Sequence, residues 1–351
     1  MNALLNNYFG IIKKFLPDKP KGTAVGIDIG LNSCKLVEIK KENNEYELVS
    51  WAIESSRKSG IAEAIKTLIA QLRNPPNTIY TAVFGKGTLI RYIDMPRMLI
   101  DDLRNSFSIE ADKYFPFSQD QIYTDCYILD GDKKSKQMAV MASAAKKEMI
   151  DQRMQLISSL GYQADFIGLN PAALVNALNF SLEKEDEGKD QTVALLDIGE
   201  SVSTFIIIVN KSPRFTRDIF VGGADFTKRI SNTLGISLED AEKLKCQPAK
   251  RVSEVKAACE STLMNIVQEL RLSIDYFSTE KSKEVDKLLV TGGGSLLEGI
   301  VDVLGDNLEM QVERWDPLKA LGVSKGIDVD DLNKKALNLG VAFGLALYEY
   351  N

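Results

Sequence analysis

Short runs of β-branched and aliphatic residues alternate along the chain with longer segments in which apolar positions recur at helical spacing. Residues 61–72 and 257–276 have the period of amphipathic helices, whereas residues 78–84 and 287–291 are typical of strands. Because strands and helices follow one another in this way, the pattern predicts α/β domains.

Helical spacing also occurs at the start of the chain. Residues 1–20 place Leu5, Tyr8 and Ile12 on one face, and Pro17 ends the pattern. We therefore expect an N-terminal amphipathic helix. Two roles for its apolar face stay open, namely packing on its own domain and contact with a membrane surface or a partner.

The chain contains an internal repeat. Residues 23–30 (TAVGIDIG) are echoed by residues 192–199 (TVALLDIG), at an offset of 169 residues, and a second β-rich run follows each copy. Each copy is typical of a strand, a tight glycine turn and a second strand, which is a β-hairpin. A hairpin used twice, each time followed by strand and helix patterns, predicts two duplicated α/β domains.

The region between the two copies is charged and poor in apolar residues. Residues 181–191 (SLEKEDEGKDQ) have the composition of an exposed connection. We therefore expect a first domain at residues 21–180, a charged connection at residues 181–191 and a second domain at residues 192–351.

In each predicted hairpin an aspartate ends the first strand and a glycine opens the turn. Backbone N–H groups of such a turn face an anion while the carboxylate lies one step away, which suits a phosphate with a divalent cation. One Asp-Ile-Gly is more often an ordinary turn, but two copies in matching strands favour a site. We expect Asp28 and Asp197 to face each other across a cleft and to hold Mg²⁺ through its waters, with Lys35 adding positive charge. The turn residues expected beside the phosphates are Gly30, Asn32, Ser33, Gly199 and Ser201.

A third glycine cluster follows the predicted strand at residues 287–291. Gly292, Gly293 and Gly294 would let the backbone approach a ligand closely, and Ser295 is suited to cap the helix that follows. The cluster does not match the P-loop pattern GxxxxGK[ST], which occurs nowhere in the chain.

Composition narrows the function classes. The 351-residue chain has a net charge of −6, no histidine and four cysteines without a CxxC pair. General attraction to nucleic acid is not expected of such a charge, and catalysis that needs histidine is excluded. Structural zinc is not expected either, and the cysteines are typical of a reducing compartment. No apolar run of ~20 residues and no secretory signal occurs, so we expect a cytoplasmic protein.

The order of the three glycine motifs resembles the phosphate 1, phosphate 2 and adenosine motifs of the superfamily that includes actin, sugar kinases and heat-shock chaperone ATPases. The two connecting helices of that superfamily resemble residues 170–178 and 339–347, where Gly340 and Gly344 permit close crossing and hinge motion. This resemblance implies an actin-like (ribonuclease H-like) duplicated two-domain ATPase fold that binds ATP and Mg²⁺.

Further stretches narrow the resemblance to the PilM family of type IV pilus assembly proteins and its relative FtsA. Residues 220–230 and 241–245 look like the helical region that these proteins place beside the adenine, which makes Glu242, Lys245 and Lys228 candidate base or ribose contacts. The alternative for each is a solvated helix face. An insert at about residues 92–165 looks like the PilM version of the small 1C subdomain.

The PilM resemblance implies a cytoplasmic ATP-binding component of the inner-membrane pilus assembly complex. By that resemblance it would hold the N-terminal tail of a PilN-like membrane protein, which would tie it to the inner face of the inner membrane beside other pilus assembly components. Phe115, Phe117 and Tyr123 are the expected tail contacts, although a buried position is the alternative for at least one of them.

Two other functions stay open at this point. A nucleotide-independent scaffold is suggested by Leu31 and Glu200, which replace small or neutral residues in the phosphate turns. A small-molecule kinase of the same fold is the second, because fold does not determine function. We assign no residue to position an attacking water, so we expect any ATP hydrolysis to be slow.

Overall fold

The computed structural model of the protein describes residues 22–74, 76, 78–129, 135–184 and 191–350. The helix expected at residues 1–20 lies outside the described residues, as do residues 185–190 of the expected connection. The described strands are β1 (Ala24–Ile29), β2 (Ser33–Glu42), β3 (Glu45–Ser55), β4 (Ile79–Val83), β5 (Thr88–Pro96), β6 (Ile122–Ile128), β7 (Gln137–Lys146), β8 (Ala164–Leu169), β9 (Thr192–Ile198), β10 (Ser203–Val209), β11 (Ser212–Ile219), β12 (Lys287–Thr291), β13 (Gln311–Arg314) and β14 (Gly322–Val323). The described α-helices are α1 (Ile61–Ala70), α2 (Ile100–Tyr114), α3 (Lys147–Ser159), α4 (Asn170–Lys184), α5 (Gly223–Leu234), α6 (Leu238–Cys246), α7 (Val252–Lys281), α8 (Ile300–Leu308), α9 (Val329–Lys335) and α10 (Gly340–Ala346).

The first sheet has the strand order β14-β3-β2-β1-β4-β8. Strands β1 and β2 pair antiparallel, from Ala24 opposite Ile39 to Ile29 opposite Cys34, so the first predicted hairpin is confirmed. Every residue of β1 is buried, because this strand lies inside the sheet with helices on its faces. The hairpin therefore holds Asp28 at a buried strand end.

The second sheet has the order β11-β10-β9-β12-β13 and contains the second predicted hairpin. Strands β9 and β10 pair antiparallel, from Thr192 opposite Val209 to Ile198 opposite Ser203. Strand β12 runs parallel to β9 and places Thr291 beside Asp197. Because parallel strands end at the same edge of a sheet, the three-glycine turn after β12 lies next to the turn after β9.

A third, smaller sheet has the order β5-β7-β6 and packs against α2. Its core is a separate apolar cluster that includes Leu103, Phe107 and Val140. Ile157 of the following helix α3 belongs instead to the cluster under the first sheet. The segment between β5 and β7 is thus a small packing unit inserted between strands of the first sheet.

Helices α4 and α10 pack together in an apolar cluster that also contains side chains from the first and second sheets. Their backbones are in direct contact, since a Cβ added at Gly344 would lie 1.8 Å from the carbonyl oxygen of Ala173. A Cβ at Gly26 of β1 would lie 2.0 Å from the carbonyl oxygen of Ala342. The predicted close crossing is confirmed, and α4 continues to Lys184, so residues 181–184 of the expected connection are helical.

The C-terminal part of the chain returns to the first sheet. Strand β14 pairs with β3 at Glu47 and Leu48, and the Tyr350 hydroxyl donates to the carbonyl oxygen of Gly22 at 3.1 Å. The ends of the described chain therefore meet beside β1.

Helix α7 is the predicted helix at residues 257–276, lengthened at both ends. Its 30 residues carry a buried stripe that includes Val255, Ile266 and Phe277, while most of the positions between are polar and exposed. Within the described ranges, no helix has both the length and the apolar character needed to cross a membrane.

Candidate functional site

The two repeated turns have the same geometry. The backbone N–H of Gly30 donates to the carbonyl oxygen of Ser33 at 3.1 Å, and that of Gly199 donates to Val202 at 3.1 Å. A Cβ would lie 2.9 Å from the Ser33 oxygen in the first turn and 2.7 Å from the Val202 oxygen in the second. Each turn closes too tightly for a side chain at this position, which explains why both copies have a glycine there.

Asp28 and Lys35 are cross-strand neighbours in the first hairpin, and their Oδ2 and Nζ atoms lie 3.1 Å apart. Burial is the largest single influence on the Lys35 pKa and lowers it. The charge and hydrogen bond of Asp28 and the charge of Asp197 together outweigh burial, so the pKa is raised. The amine therefore stays protonated and acts on both carboxylates.

Asp197 occupies the repeat position of Asp28, but its cross-strand neighbour is Thr204 in place of a lysine. Burial, and then the charge of Asp28, raise the pKa of Asp197 to about 7, and Lys35 opposes them. Asp28, Lys35 and Asp197 thus lie close enough for their charges to act on one another. Among the described residues, no group of three or more Cys, Asp or Glu side chains is arranged to hold a metal.

The three-glycine turn packs directly on the end of β9. Gly292 has a φ of +83°, and a Cβ there would lie 2.3 Å from Asp197 Oδ1. A Cβ at Gly294 would lie 2.2 Å from the Ile198 side chain. The expected helix cap at Ser295 is wrong, because its hydroxyl donates to the carbonyl oxygen of Gly292 at 2.6 Å within the turn itself.

The N-terminus of α5 is fixed to the second repeated turn. The backbone N–H of Gly223 donates to the carbonyl oxygen of Gly199 at 2.9 Å, and that of Ala224 donates to Glu200 at 2.8 Å. These bonds place the first turn of α5 against the candidate phosphate site. Ser201 lies in the same turn and is partly buried.

Lys245 and Glu242 of α6 form one cluster with the start of α5. Lys245 Nζ donates to the carbonyl oxygen of Gly223 at 2.9 Å, to Thr227 Oγ1 at 2.8 Å and to Glu242 Oε2 at 2.8 Å. Burial raises the pKa of Glu242, but the hydrogen bonds from Lys245 and Thr227 outweigh it, and the pKa is lowered. The structure thus brings these two predicted residues to the second turn, whereas Lys228 lies on the exposed face of α5.

Two arginines at this site were not anticipated. Arg57, just after β3, forms an ion pair with Glu200, and Asn32 Nδ2 of the first turn donates to the same carboxylate. Arg153 of α3 donates to Thr81 Oγ1 at 3.3 Å. Burial lowers the pKa of Arg153, and the nearby charge of Asp28 opposes this effect. Neither arginine belongs to a motif, so no local signal in the sequence marks them.

A groove lies where the small sheet meets the second sheet, with a volume of about 500 Å³. We call it the junction groove. Its lining combines apolar rings and aliphatic side chains with a few charged groups. The lining residues are Gly85, Lys86, Gly87, Thr88, Leu89, Ile90, Arg91, Phe117, Leu169, Pro171, Phe215, Thr216, Arg217, Asp218 and Phe220. Tyr92 and Thr216 link the two sheets through a hydroxyl–hydroxyl hydrogen bond of 2.7 Å beside it.

The three expected tail contacts have different surroundings. Phe115 is 3% exposed and belongs to the core of the small sheet, so the expectation that it meets a partner is wrong. Phe115 comes directly after helix α2, and its ring lies inside the apolar cluster, where a partner cannot reach it. Phe117 lines the junction groove, and Tyr123 is exposed and donates to Asp151 Oδ1 at 3.3 Å.

The model of the family described as "Type IV pilus assembly protein PilM" matches residues 26–350. The chain belongs to the PilM family. Similar curated proteins carry the name cell division protein FtsA. The one from Enterococcus faecalis (strain ATCC 700802 / V583) is 26% identical over 194 residues, which are 49% of this chain and 43% of that protein. The one from Streptococcus pneumoniae serotype 2 is 20% identical over 352 residues, covering 85% of this chain and 76% of that protein.

Solved structures share the fold of this chain. The structure of a PilM–PilN type IV pilus biogenesis complex matches with a TM-score of 0.84 and 25% identity, covering 95% of this chain and 100% of that chain. The ethanolamine utilization protein EutJ from Carboxydothermus hydrogenoformans has a TM-score of 0.58 at 15% identity, covering 96% and 93%. MreB 5 of Spiroplasma citri bound to AMPPNP has a TM-score of 0.55 at 12% identity, covering 95% and 97%. The predicted actin-like fold and the predicted family are both confirmed.

Proposed function

We propose that this PilM-family protein is the cytoplasmic nucleotide-binding component of the inner-membrane assembly complex of the type IV pilus. The observation that carries the proposal is the family match over residues 26–350, together with the structural match of 95% of this chain to a PilM–PilN complex. In this proposal the protein binds Mg-ATP in the cleft between its two repeated turns and holds the tail of a PilN-like membrane protein in the junction groove.

The described residues fit a nucleotide with its cation. Asp28 and Asp197 supply two carboxylates, which suits Mg²⁺, a cation that keeps several waters and needs few protein ligands. Gly292 leaves no side chain between the three-glycine turn and Asp197, so backbone alone borders that part of the cleft. Lys35 places a positive charge beside both carboxylates, and Lys245 and Glu242 offer polar contacts for a base or ribose. Bound Mg²⁺ would neutralise part of the phosphate charge.

The first experiment is a calorimetric titration of the nucleotide-stripped protein with Mg-ATP, repeated on Asp28→Asn and Asp197→Asn. We expect saturable binding that depends on Mg²⁺ and is weakened in both variants. Asp112→Asn is the matched control, since Asp112 is exposed on α2 of the small unit. Undiminished affinity in both cleft variants would mean that the nucleotide binds elsewhere, and no binding by the wild type would favour a nucleotide-independent scaffold.

The junction groove is suited to an extended apolar peptide with polar groups at its edges. Phe117, Phe215 and Phe220 provide ring surface, and Lys86 Nζ lies over the Phe220 ring at 5.2 Å from its centroid. The occupant we propose is the N-terminal tail of the PilN-like protein, since that tail comes from a membrane protein and would hold this chain at the inner face of the inner membrane.

Tail binding is testable with a labelled synthetic peptide of the PilN-like protein from the same organism, followed by fluorescence anisotropy. We expect Phe220→Ala and Phe117→Ala to weaken binding by roughly tenfold or more, the effect of losing one well-packed aromatic anchor. Leu99→Ala is the control, because Leu99 is 75% exposed on the same small unit and does not line the groove. Equal losses in all three variants would argue against the groove.

A short chain of contacts joins the cleft to the groove. Thr204, the cross-strand neighbour of Asp197, donates to Asp218 Oδ1 at 3.1 Å, and Asp218 also accepts the backbone N–H of Gly85 in the groove. These contacts give ATP a physical route to bias tail binding. Repeating the peptide titration with saturating Mg-ATP tests it, and an unchanged affinity would mean that nucleotide and tail bind independently.

A further inference from the structure

Glu200 reaches from the second phosphate turn to the first. Its carboxylate accepts a hydrogen bond from Asn32 Nδ2 and forms an ion pair with Arg57, and both donors belong to the other repeat. The Glu200 side chain is 26% exposed, so this contact is partly shielded from solvent. An anion from one half of the molecule is thus bound by donors of the other half, between the two turns expected to face the phosphates.

The backbone that carries the two donors is held by hydrogen bonds that do not involve Glu200. The backbone N–H of Ser56 donates to the carbonyl oxygen of Asn32 at 2.9 Å, and the Ser56 hydroxyl donates to that of Leu31 at 3.2 Å. These bonds fix the first turn to the end of β3, from which Arg57 projects. The hydrogen bond from Arg57 to Glu200 raises the pKa of the guanidinium, and the charge of Glu242 adds to the effect, so Arg57 also lies near α6.

A carboxylate and a phosphate present the same chemistry to these donors. Both are anionic oxygen acceptors, and arginine binds both with strong, charge-assisted hydrogen bonds. We propose that Glu200 is an internal anion that competes with a nucleotide phosphate for Asn32 and Arg57, and that Arg57 is itself a phosphate-binding residue. This inference rests on the nucleotide site proposed above.

Two physical effects of Glu200 then weaken nucleotide binding. A phosphate that takes the donors must first break the pairs with Glu200, and a displaced carboxylate nearby still repels the phosphate. Glu200→Gln removes the charge with little change in shape, so we expect the dissociation constant for Mg-ATP to fall roughly tenfold. Arg57→Gln should raise it, because a cation that binds the phosphate is lost.

The double variant separates competition from simple repulsion. If Glu200 competes for Arg57, the gain from Glu200→Gln becomes smaller once Arg57 is glutamine, since the competition no longer exists. Fully additive effects on affinity would show that Glu200 acts by repulsion alone, and the competition proposed here would be wrong.

The experiment is calorimetric titration of the full chain with Mg-ATP for the wild type, the two single variants and the double variant, after thermal melting has established that each is folded. Glu254→Gln is the control, since Glu254 forms an exposed pair with Arg251 at 2.8 Å and its replacement makes the same charge change at a residue that pairs with neither Asn32 nor Arg57. Equal affinity of wild type and Glu200→Gln would overturn the inference and leave the nucleotide site standing. Unchanged affinity in Arg57→Gln would remove Arg57 from the phosphate site, and no binding by either wild type or Glu200→Gln would overturn the nucleotide site and this inference together.

Discussion

Lys35 Nζ lies 3.1 Å from Asp28 Oδ2 across the first hairpin, at a position where the second hairpin has Thr204. The repeat therefore supplies two aspartates but only one of the two corresponding positions is a cation. Lys35 serves both carboxylates, because the charge of Asp197 also acts on its pKa. Because of this asymmetry, a cation of the first hairpin offsets the negative charge of the aspartate in the second.

Replacing Lys35 by methionine should destabilise the protein, because buried Asp28 loses its ion-pair partner. We expect the free energy of unfolding at pH 7 to fall by about 3 kcal/mol, the usual effect of breaking a buried ion pair. Urea denaturation measures it. The control is Lys40→Met, since Lys40 forms a cross-strand pair with Glu47 at 2.9 Å in the same sheet but is more exposed, so this variant should lose much less stability. Similar losses in both variants would contradict the role given to Lys35.

Asp197 should make the stability of the protein depend on pH. Its pKa is raised from 3.8 to about 7 in the fold, so the folded protein holds a proton that the unfolded chain releases at lower pH. The free energy of unfolding therefore falls as pH rises from about 4 to about 7 and levels off above that. Asp197→Asn removes this pH dependence. The free energy of unfolding of the variant minus that of the wild type should therefore increase with rising pH, by roughly 2 to 4 kcal/mol by pH 8.

Urea denaturation of both proteins at pH 5 and pH 8, without added metal, measures the difference. Another raised carboxyl, that of Asp316, is common to the two proteins and cancels in the comparison. Parallel pH profiles would mean that Asp197 titrates normally.

Gly292 and Gly60 provide a matched pair of glycines. Their backbone angles are almost identical, with φ and ψ of 83° and 163° at Gly292 and 84° and 161° at Gly60. A Cβ at Gly60 meets nothing within 4 Å, whereas one at Gly292 would lie 2.3 Å from Asp197 Oδ1. Gly60→Ala should destabilise by about 1 to 3 kcal/mol through backbone strain alone. Gly292→Ala should cost at least about 2 kcal/mol more, from overpacking, and weaken Mg-ATP binding. Equal melting temperatures would contradict the close approach.

Gly344 and Gly340 make a second comparison within helix α10. A Cβ at Gly344 would lie 1.8 Å from the carbonyl oxygen of Ala173, whereas one at Gly340 would lie 3.3 Å from the end of the Leu174 side chain. Gly344→Ala must push the two helices apart and should lower the free energy of unfolding by about 3 kcal/mol. Gly340→Ala should change it by less than about 1 kcal/mol, since the better helix propensity of alanine offsets a slight crowding. Thermal unfolding ranks the two variants, and the reverse order would contradict the close contact between Gly344 and Ala173.

The sequence predicted the elements whose causes are local. Alternating apolar residues around a glycine turn specify a hairpin by themselves, and both hairpins formed where the repeat placed them. Strand β12 has the predicted bounds, and α7 contains the whole of the predicted helix. The predicted helix cap at Ser295 was wrong, because a hydroxyl can donate to a carbonyl in its own turn as readily as it can cap a helix.

What the sequence alone determined about this protein is its repeated plan, with two aspartate-glycine turns, a third glycine turn and the motifs of the PilM family. Only the tertiary structure decided which distant side chains meet. The pairing of Arg57 with Glu200, the sharing of Lys35 between two aspartates and the burial of Phe115 all join segments that are far apart in sequence or that could face either way. Local pattern specifies a strand or a turn, but the partner of a charged side chain depends on how whole sheets pack, and no short-range rule contains that information.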